Sequence, residues 1–230
     1  MSGLMRRLSQ YSTLVFDCDG VILDSNRIKT EAFREVALPY GEEVAEALVR
    51  YHVANGGVSR FRKFQYFLEN LLAEEATSER VSTLAAQYGE CVYQGLLACP
   101  VTPGLDALRQ ATAGIGWMIV SGGVEEELRR VFAARGLAPL FDKGIFGSPA
   151  TKDEILAGLL ASGGLRLPAL FVGDSRYDHE ASSRAGLDFV FASAWSEFSG
   201  WSAYCEAHRI RAVSAAVDLL SWPNFKSMDS

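Results

Sequence analysis

An open, doubly wound parallel α/β sheet of Rossmann-like type, split by an all-helical insert, is the fold class this sequence predicts, and three observations predict it. Apolar runs too continuous for half-exposed strands stand at 14–16, 115–120 and 169–172, as expected of strands covered on both faces. From Thr102 onward such runs alternate with amphipathic helical stretches, the pattern of parallel strands joined by right-handed crossovers. Between the first strand and that alternation, residues 25–98 carry helical periodicity alone.

The first strand, Leu14-Val15-Phe16, breaks into Asp17, Asp19 and Gly20. Aspartates at i and i+2 of extended chain project the same way. Two negative charges then stand side by side at the strand mouth, which costs free energy unless a cation answers them. An EF-hand calcium loop is excluded, because Val21 and Ile22 occupy the positions that need an acceptor side chain and a glycine.

Ser25 is placed to cap a helix over 26–37 with Ile28, Ala32, Phe33 and Val36 on one face; a second helix covers 42–54 and ends at the flexible loop Asn55-Gly56-Gly57. Val58, Phe61, Phe64, Leu68, Leu71 and Leu72 form one further apolar stripe, and Val81, Leu84, Tyr88, Cys91 and Gly95 another. The chain therefore divides into a helical domain, 25–98, inserted into a core of 1–24 and 99–230, with hinges at the two crossings.

In the core, Thr102 is expected to cap a helix with Pro103 at its first position, running to about Ala113. A strand, Ile115–Val120, runs straight into Ser121-Gly122-Gly123. The next helix buries Val124, Leu128, Val131 and Phe132 and closes at Gly136; a third strand covers Gly144–Phe146. Thr151-Lys152-Asp153-Glu154 has capping-box spacing for a helix through Leu160. A fourth strand, Ala169–Val172, enters Gly173-Asp174, followed by a helix from Ser175 to Ala185 and a strand over Asp188–Ala192. Residues 193–230, with Trp195, Phe198, Trp201 and Trp222, read as one or two covering helices and a loose tail in which the sequence shows no function.

A formal net charge of −6 disfavours a nucleic-acid surface but not small anionic substrates. No apolar run approaches the roughly 20 residues of a membrane span. Met1–Gln10 lacks the apolar centre of a signal peptide, so a cytoplasmic location is expected. Cys18, Cys91, Cys99 and Cys205 show no Cys-x-x-Cys spacing and read as reduced thiols. No Walker loop, His-Glu-x-x-His, Rossmann glycine fingerprint or Ser-His-Asp signature is present.

The chemistry-bearing residues fall just past strand ends, where all would line the carboxyl edge of one sheet: Asp17 and Asp19, Ser121, then Gly173-Asp174, with Lys152 at a helix start. Asp17-Cys18-Asp19-Gly20, Ser121, Lys152 and Gly173-Asp174-Ser175-Arg176-Tyr177-Asp178 resemble, in type and order, the four motifs of the haloacid dehalogenase superfamily of magnesium-dependent phosphotransferases. The resemblance implies Asp17 as the nucleophile that forms an aspartyl phosphate and Asp19 as the acid and base. It implies Mg2+ on Asp17, the Asp19 backbone carbonyl and Asp174, with Asp178 outside the coordination sphere, and Ser121, Gly122 and Lys152 on the phosphoryl oxygens. The helical insert resembles the family's cap, and its loop Asn55–Arg60 a substrate-facing cap loop, which puts Arg60 near the substrate; His52, Arg62 and Lys63 are further candidates. Asp19 argues for phosphate esters over the dehalogenase and phosphonatase branches. The expected activity is hydrolysis of a small phosphorylated metabolite; the alternatives are a sugar phosphomutase of the same superfamily and, from another class, a non-catalytic binding protein on this fold.

Overall fold

The computed structural model describes residues 6–221. Its sheet has six parallel strands: β1 Thr13–Phe16, β2 Gly116–Val124, β3 Ile145–Ser148, β4 Ala169–Gly173, β5 Asp188–Ala192 and β6 Arg211–Val213. They are ordered β3-β2-β1-β4-β5-β6. The order reverses between β1 and β4, and a crevice opens outside the carboxyl ends of strands at such a point. Phe16 pairs with Ile119 on one side and Val172 on the other, and the Asp17 N–H donates to the Val172 carbonyl at 2.9 Å. That register brings Asp17 beside the segment Gly173-Asp174.

Side chains alternate across the sheet with the period of two that strands impose. Leu14 and Phe16 face a cluster with Trp117, Ile119, Leu128 and Phe132, whereas Val15 faces Met118, Phe171, Leu156 and Ala181. One face is accordingly covered by α5 (Leu105–Ala111) and α6 (Glu125–Ala134), and the other by α7 (Lys152–Ser162), α8 (Arg176–Arg184) and α9 (Trp201–His208).

Between β1 and α5 the chain forms α1 Asn26–Ala37, α2 Glu42–Ala54, α3 Arg60–Tyr66 and α4 Ser78–Ala98. Phe33, Phe64 and Tyr88 meet at its centre with ring centroids 4.4–6.0 Å apart. The third helix is shorter than its stripe suggests: beyond Tyr66 the backbone widens into a π turn over Phe67–Leu71. No helix among the described residues is long and apolar enough to cross a membrane.

Four expectations need correction. Ser25 stands just before α1 but its hydroxyl makes no capping bond; it donates to Asp19 instead. Thr102 is buried with its hydroxyl unpaired, and Gly104, in the left-handed conformation, stands at the start of α5. β2 does not stop at Val120 but continues through Ser121-Gly122-Gly123 with an irregular register. A sixth strand, Arg211–Val213, lies in the stretch read as tail; its three residues, two of them exposed, give no apolar run to detect. Trp222 lies outside the described residues.

Candidate active site

The structure brings Asp17, Asp174 and Asp178 together from β1, β4 and α8, with one carboxylate oxygen of each within 4.8 Å of the others. All three are buried. Gly20 permits the gathering: its φ is +72°, and a Cβ there would lie 2.1 Å from Asp174 Oδ2. Asn26, in the first turn of α1, donates to Asp174 Oδ2 at 2.7 Å and to the Trp195 carbonyl at 2.8 Å, tying the insert to the loop after β5. Ser196 donates to the Asp174 carbonyl at 2.6 Å. The segment in which the sequence shows no function therefore shapes the site.

Lys152 is the counter-charge. The capping box predicted from Thr151 and Glu154 forms, which starts α7 at Lys152 and places its ammonium 2.9 Å from Asp17 Oδ2 and in an ion pair with Asp178. Asp178 spends its other oxygen on the Ser175 N–H and hydroxyl, at 3.1 and 2.6 Å, in a second capping box. Both its oxygens are thus engaged, and it acts by holding Lys152. Burial, then Lys152 in opposition, then the Asp178 and Asp19 charges push the Asp17 carboxyl up to about 7. Burial and the Asp17 and Asp178 charges hold Asp174 well above the carboxylate range. Burial would lower Lys152, but Asp17 and Asp178 outweigh it and keep the amine protonated. One lysine facing three carboxylates leaves the cluster short of positive charge, and oxygen donors of this kind suit a hard divalent cation.

Asp19 is held separately. It accepts from the Ser25 hydroxyl at 2.6 Å and pairs with Lys29 of α1. Burial would raise its carboxyl, but the Lys29 charge and these hydrogen bonds outweigh burial and keep it below the usual range. Lys29 was missed in the sequence. The signal was there, since Lys29, Phe33 and Val36 share the buried face of α1, where a charge requires a partner.

A cavity of about 710 Å³ runs from this cluster into the insert. Of the expected phosphoryl-holding residues Gly122 lines it, whereas Ser121 and Lys152 are buried and outside its lining. The cover is the loop Asn55–Ser59: a Cβ on Gly122 would stand 2.3 Å from the Gly57 carbonyl oxygen, and one on Gly57 2.9 Å from Ser175 Oγ. Only glycines allow backbone to meet backbone this closely.

Arg60 also lines the cavity, 6% exposed, but its guanidinium is committed. It binds Glu127 of α6 through both terminal nitrogens, donates to the Ala85 carbonyl at 3.0 Å and lies 4.6 Å from the Tyr88 ring centroid. The loop sequence suggests a place near the substrate; the structure puts Arg60 in the cavity lining and also gives its guanidinium a clasp from insert to core. Arg62 is exposed and outside the cavity lining, whereas His52 and Lys63 are buried and line it.

No curated protein matches this sequence. A sequence model of the haloacid dehalogenase-like hydrolases matches residues 11–186. Solved structures of similar fold include a predicted phosphoglycolate phosphatase from Haemophilus somnus, with 18% identity over 93% of this chain and 98% of that one at a TM-score of 0.68. A predicted phosphatase from Clostridium acetobutylicum shows 17% identity over 92% and 97%, TM-score 0.71. The β-phosphoglucomutase of Clostridium difficile shows 18% over 90% and 92%, TM-score 0.67.

Proposed function

The chain belongs to the haloacid dehalogenase-like hydrolases, and from that premise we propose that it hydrolyses a small phosphate monoester through an aspartyl phosphate on Asp17, with Mg2+ at the carboxylate cluster. The observation that carries this reading is the buried Asp17 at the end of β1, 2.9 Å from Lys152 and grouped with Asp174 and Asp178.

Asp17 and Asp174 fit the ion best, because Asp178 is occupied by Lys152 and Ser175 and the Asp19 side chain by Lys29 and Ser25; the Asp19 backbone carbonyl completes the assignment. A divalent cation there supplies the positive charge that lets an anionic nucleophile approach an anionic phosphate. The Asp17 carboxylate attacks phosphorus as the ester oxygen leaves, and Asp19 gives that oxygen its proton. In the second step Asp19 takes a proton from the attacking water, and phosphate departs with Asp17 restored. Lys29 holds resting Asp19 in the form that takes a proton. The charge of an incoming phosphate raises that carboxyl toward the form that gives one. The Ser121 hydroxyl, the Gly122 amide and Lys152 receive phosphoryl oxygens once the Asn55–Ser59 loop lifts, and residues 25–98 act as the cap whose movement admits substrate.

The test is a panel of phosphate monoesters assayed with magnesium, with and without a bisphosphate activator. Hydrolysis independent of the activator is expected; isomerisation that requires it would make the protein a phosphomutase. Asp17→Asn should fold and lose turnover by on the order of 10³-fold or more. Near wild-type hydrolysis by that variant, or failure to trap an acid-labile phosphoenzyme on the wild type, would remove Asp17 from the role.

A further inference from the structure

Four carboxylates stand at the carboxyl edge of the sheet, and each is fixed by its own donors. Asp17 takes the Cys18 N–H at 2.7 Å and Lys152 at 2.9 Å. Asp19 takes Ser25 and Lys29, and Asp178 takes Ser175 and Lys152. Three of the four therefore meet an ammonium. Asp174 does not: among the described residues the one side chain that donates to its carboxylate is Asn26, at 2.7 Å on Oδ2.

A neutral amide orients a carboxylate without neutralising it, and a carboxylate that keeps its charge is the better ligand for a hard cation. Such a hold is needed here. Asp174 is buried with carboxylate oxygens of Asp17 and Asp178 within 4.8 Å, and like charges at that range repel. The Asn26 amide has two hydrogens to donate, and both are used, one on Asp174 and one on the Trp195 carbonyl at 2.8 Å. Ser196 closes the ring by donating to the main-chain carbonyl of Asp174 at 2.6 Å. The opposite side is equally close, since a Cβ on Gly20 would lie 2.4 Å from Asn26 Nδ2. Asp174 is thus gripped at side chain and main chain, by the first turn of α1 and by the loop after β5, neither of which lies in the four motifs.

Resting on the monoester-hydrolase reading and its Mg2+ site, we propose that Asn26 is a positioning residue for that site: by fixing the Asp174 carboxylate it sets the affinity for the divalent cation, with Trp195 and Ser196 completing the support. Asn26 does its work without touching the ion.

Calorimetric titration of magnesium chloride into the full-length, EDTA-treated chain tests this without turnover. Asn26→Leu keeps the volume and removes both hydrogen bonds, and magnesium binding should weaken roughly 10- to 100-fold, as when a donor behind a metal ligand is lost. Thr30→Val is the comparison: it removes a second bond between α1 and the same loop, Thr30 to Glu197 at 2.7 Å, one that involves none of the four carboxylates, and it should leave the affinity at the wild-type value. In turnover, the kcat of Asn26→Leu should climb back toward the wild type as magnesium is raised, because the groups that meet the phosphoryl are intact. An unchanged affinity in Asn26→Leu overturns the proposal and leaves the monoester-hydrolase reading standing, since the ion still binds. No magnesium binding by the wild type overturns both. Equal weakening in Asn26→Leu and Thr30→Val makes the effect one of a loosened junction and overturns the positioning role. Where Asn26→Leu does not fold, Asn26→Ala, which vacates the space, is titrated in its place against the same expectations.

Discussion

Lys152 and Lys63 are lysines of the same cavity system, both almost fully buried, and the protein treats them in opposite ways. Lys152 is enclosed by Asp17 and Asp178, and their charges outweigh its burial, so its positive charge is permanent. Lys63 meets an imidazole and an aromatic ring, and burial prevails. The difference lies in the neighbours: the core end pairs its lysine with two carboxylates, while the insert end gives its lysine a ring nitrogen and an aromatic face.

The sharpest way to break this comparison is to remove both charges and follow stability by denaturant unfolding. Lys152→Met strands buried carboxylates and should cost about 3–5 kcal/mol. Lys63→Met removes an uncompensated amine and should instead stabilise by about 1–3 kcal/mol. The sign with pH follows from the lowered value of Lys63. Between about 7 and the ordinary lysine range the unfolded chain binds the proton that the folded chain does not, so the penalty is full below pH 7 and fades as pH rises. The gain from Lys63→Met should therefore be larger at pH 6.5 than at pH 9.5. Two losses of equal sign would mean that Lys63 is compensated after all.

A smaller effect distinguishes the ends by metal. Magnesium at 100 times its Kd should add about 2.7 kcal/mol, or roughly 5–10 °C in Tm for a chain of this size. With its carboxyl raised to about 7, Asp17 keeps a proton in the folded state that the unfolded chain releases near pH 4. Metal-free stability accordingly falls as pH rises through that window, and magnesium competes with protons there. Its increment should be greater at pH 7.5 than at pH 5.5 by differential scanning calorimetry. An increment that persists in Asp174→Asn would move the ion elsewhere.

The smallest expected effect concerns the clasp. A double-mutant cycle with Arg60→Ala and Glu127→Ala should return a coupling of about 0.5–3 kcal/mol in stability. In turnover, Arg60→Ala should lower kcat/KM for p-nitrophenyl phosphate and for larger esters alike, because it loosens closure. A loss confined to the larger esters would restore the substrate contact that the loop sequence suggested.

Some of this was legible in the chain alone. The continuous apolar runs located β1, β2, β4 and β5, and the Thr151–Glu154 spacing located α7 and with it Lys152, because strand burial and helix capping are written within a few neighbouring residues. Asp17, Asp19 and Asp174 were visible for the same reason, since they follow strand ends and parallel strands deliver their ends to one edge; Asp178, in the first turn of α8, was visible only through the resemblance to the family's fourth motif. Lys63 stood among the further candidates near the cap loop, and Lys29 could have been found, since it interrupts the buried face of a helix. Their partners could not. Arg60 and Glu127 are 67 positions apart, Asn26 and Asp174 are 148 apart, and Thr30 and Glu197 are 167 apart; which acid reaches which base depends on how the insert rests on the sheet. Local spacing sets helices, strands and the residues at their ends; charge pairing across the cavity is a property of distance in space, and only the tertiary structure decided which of the buried cations among the described residues pair with a carboxylate.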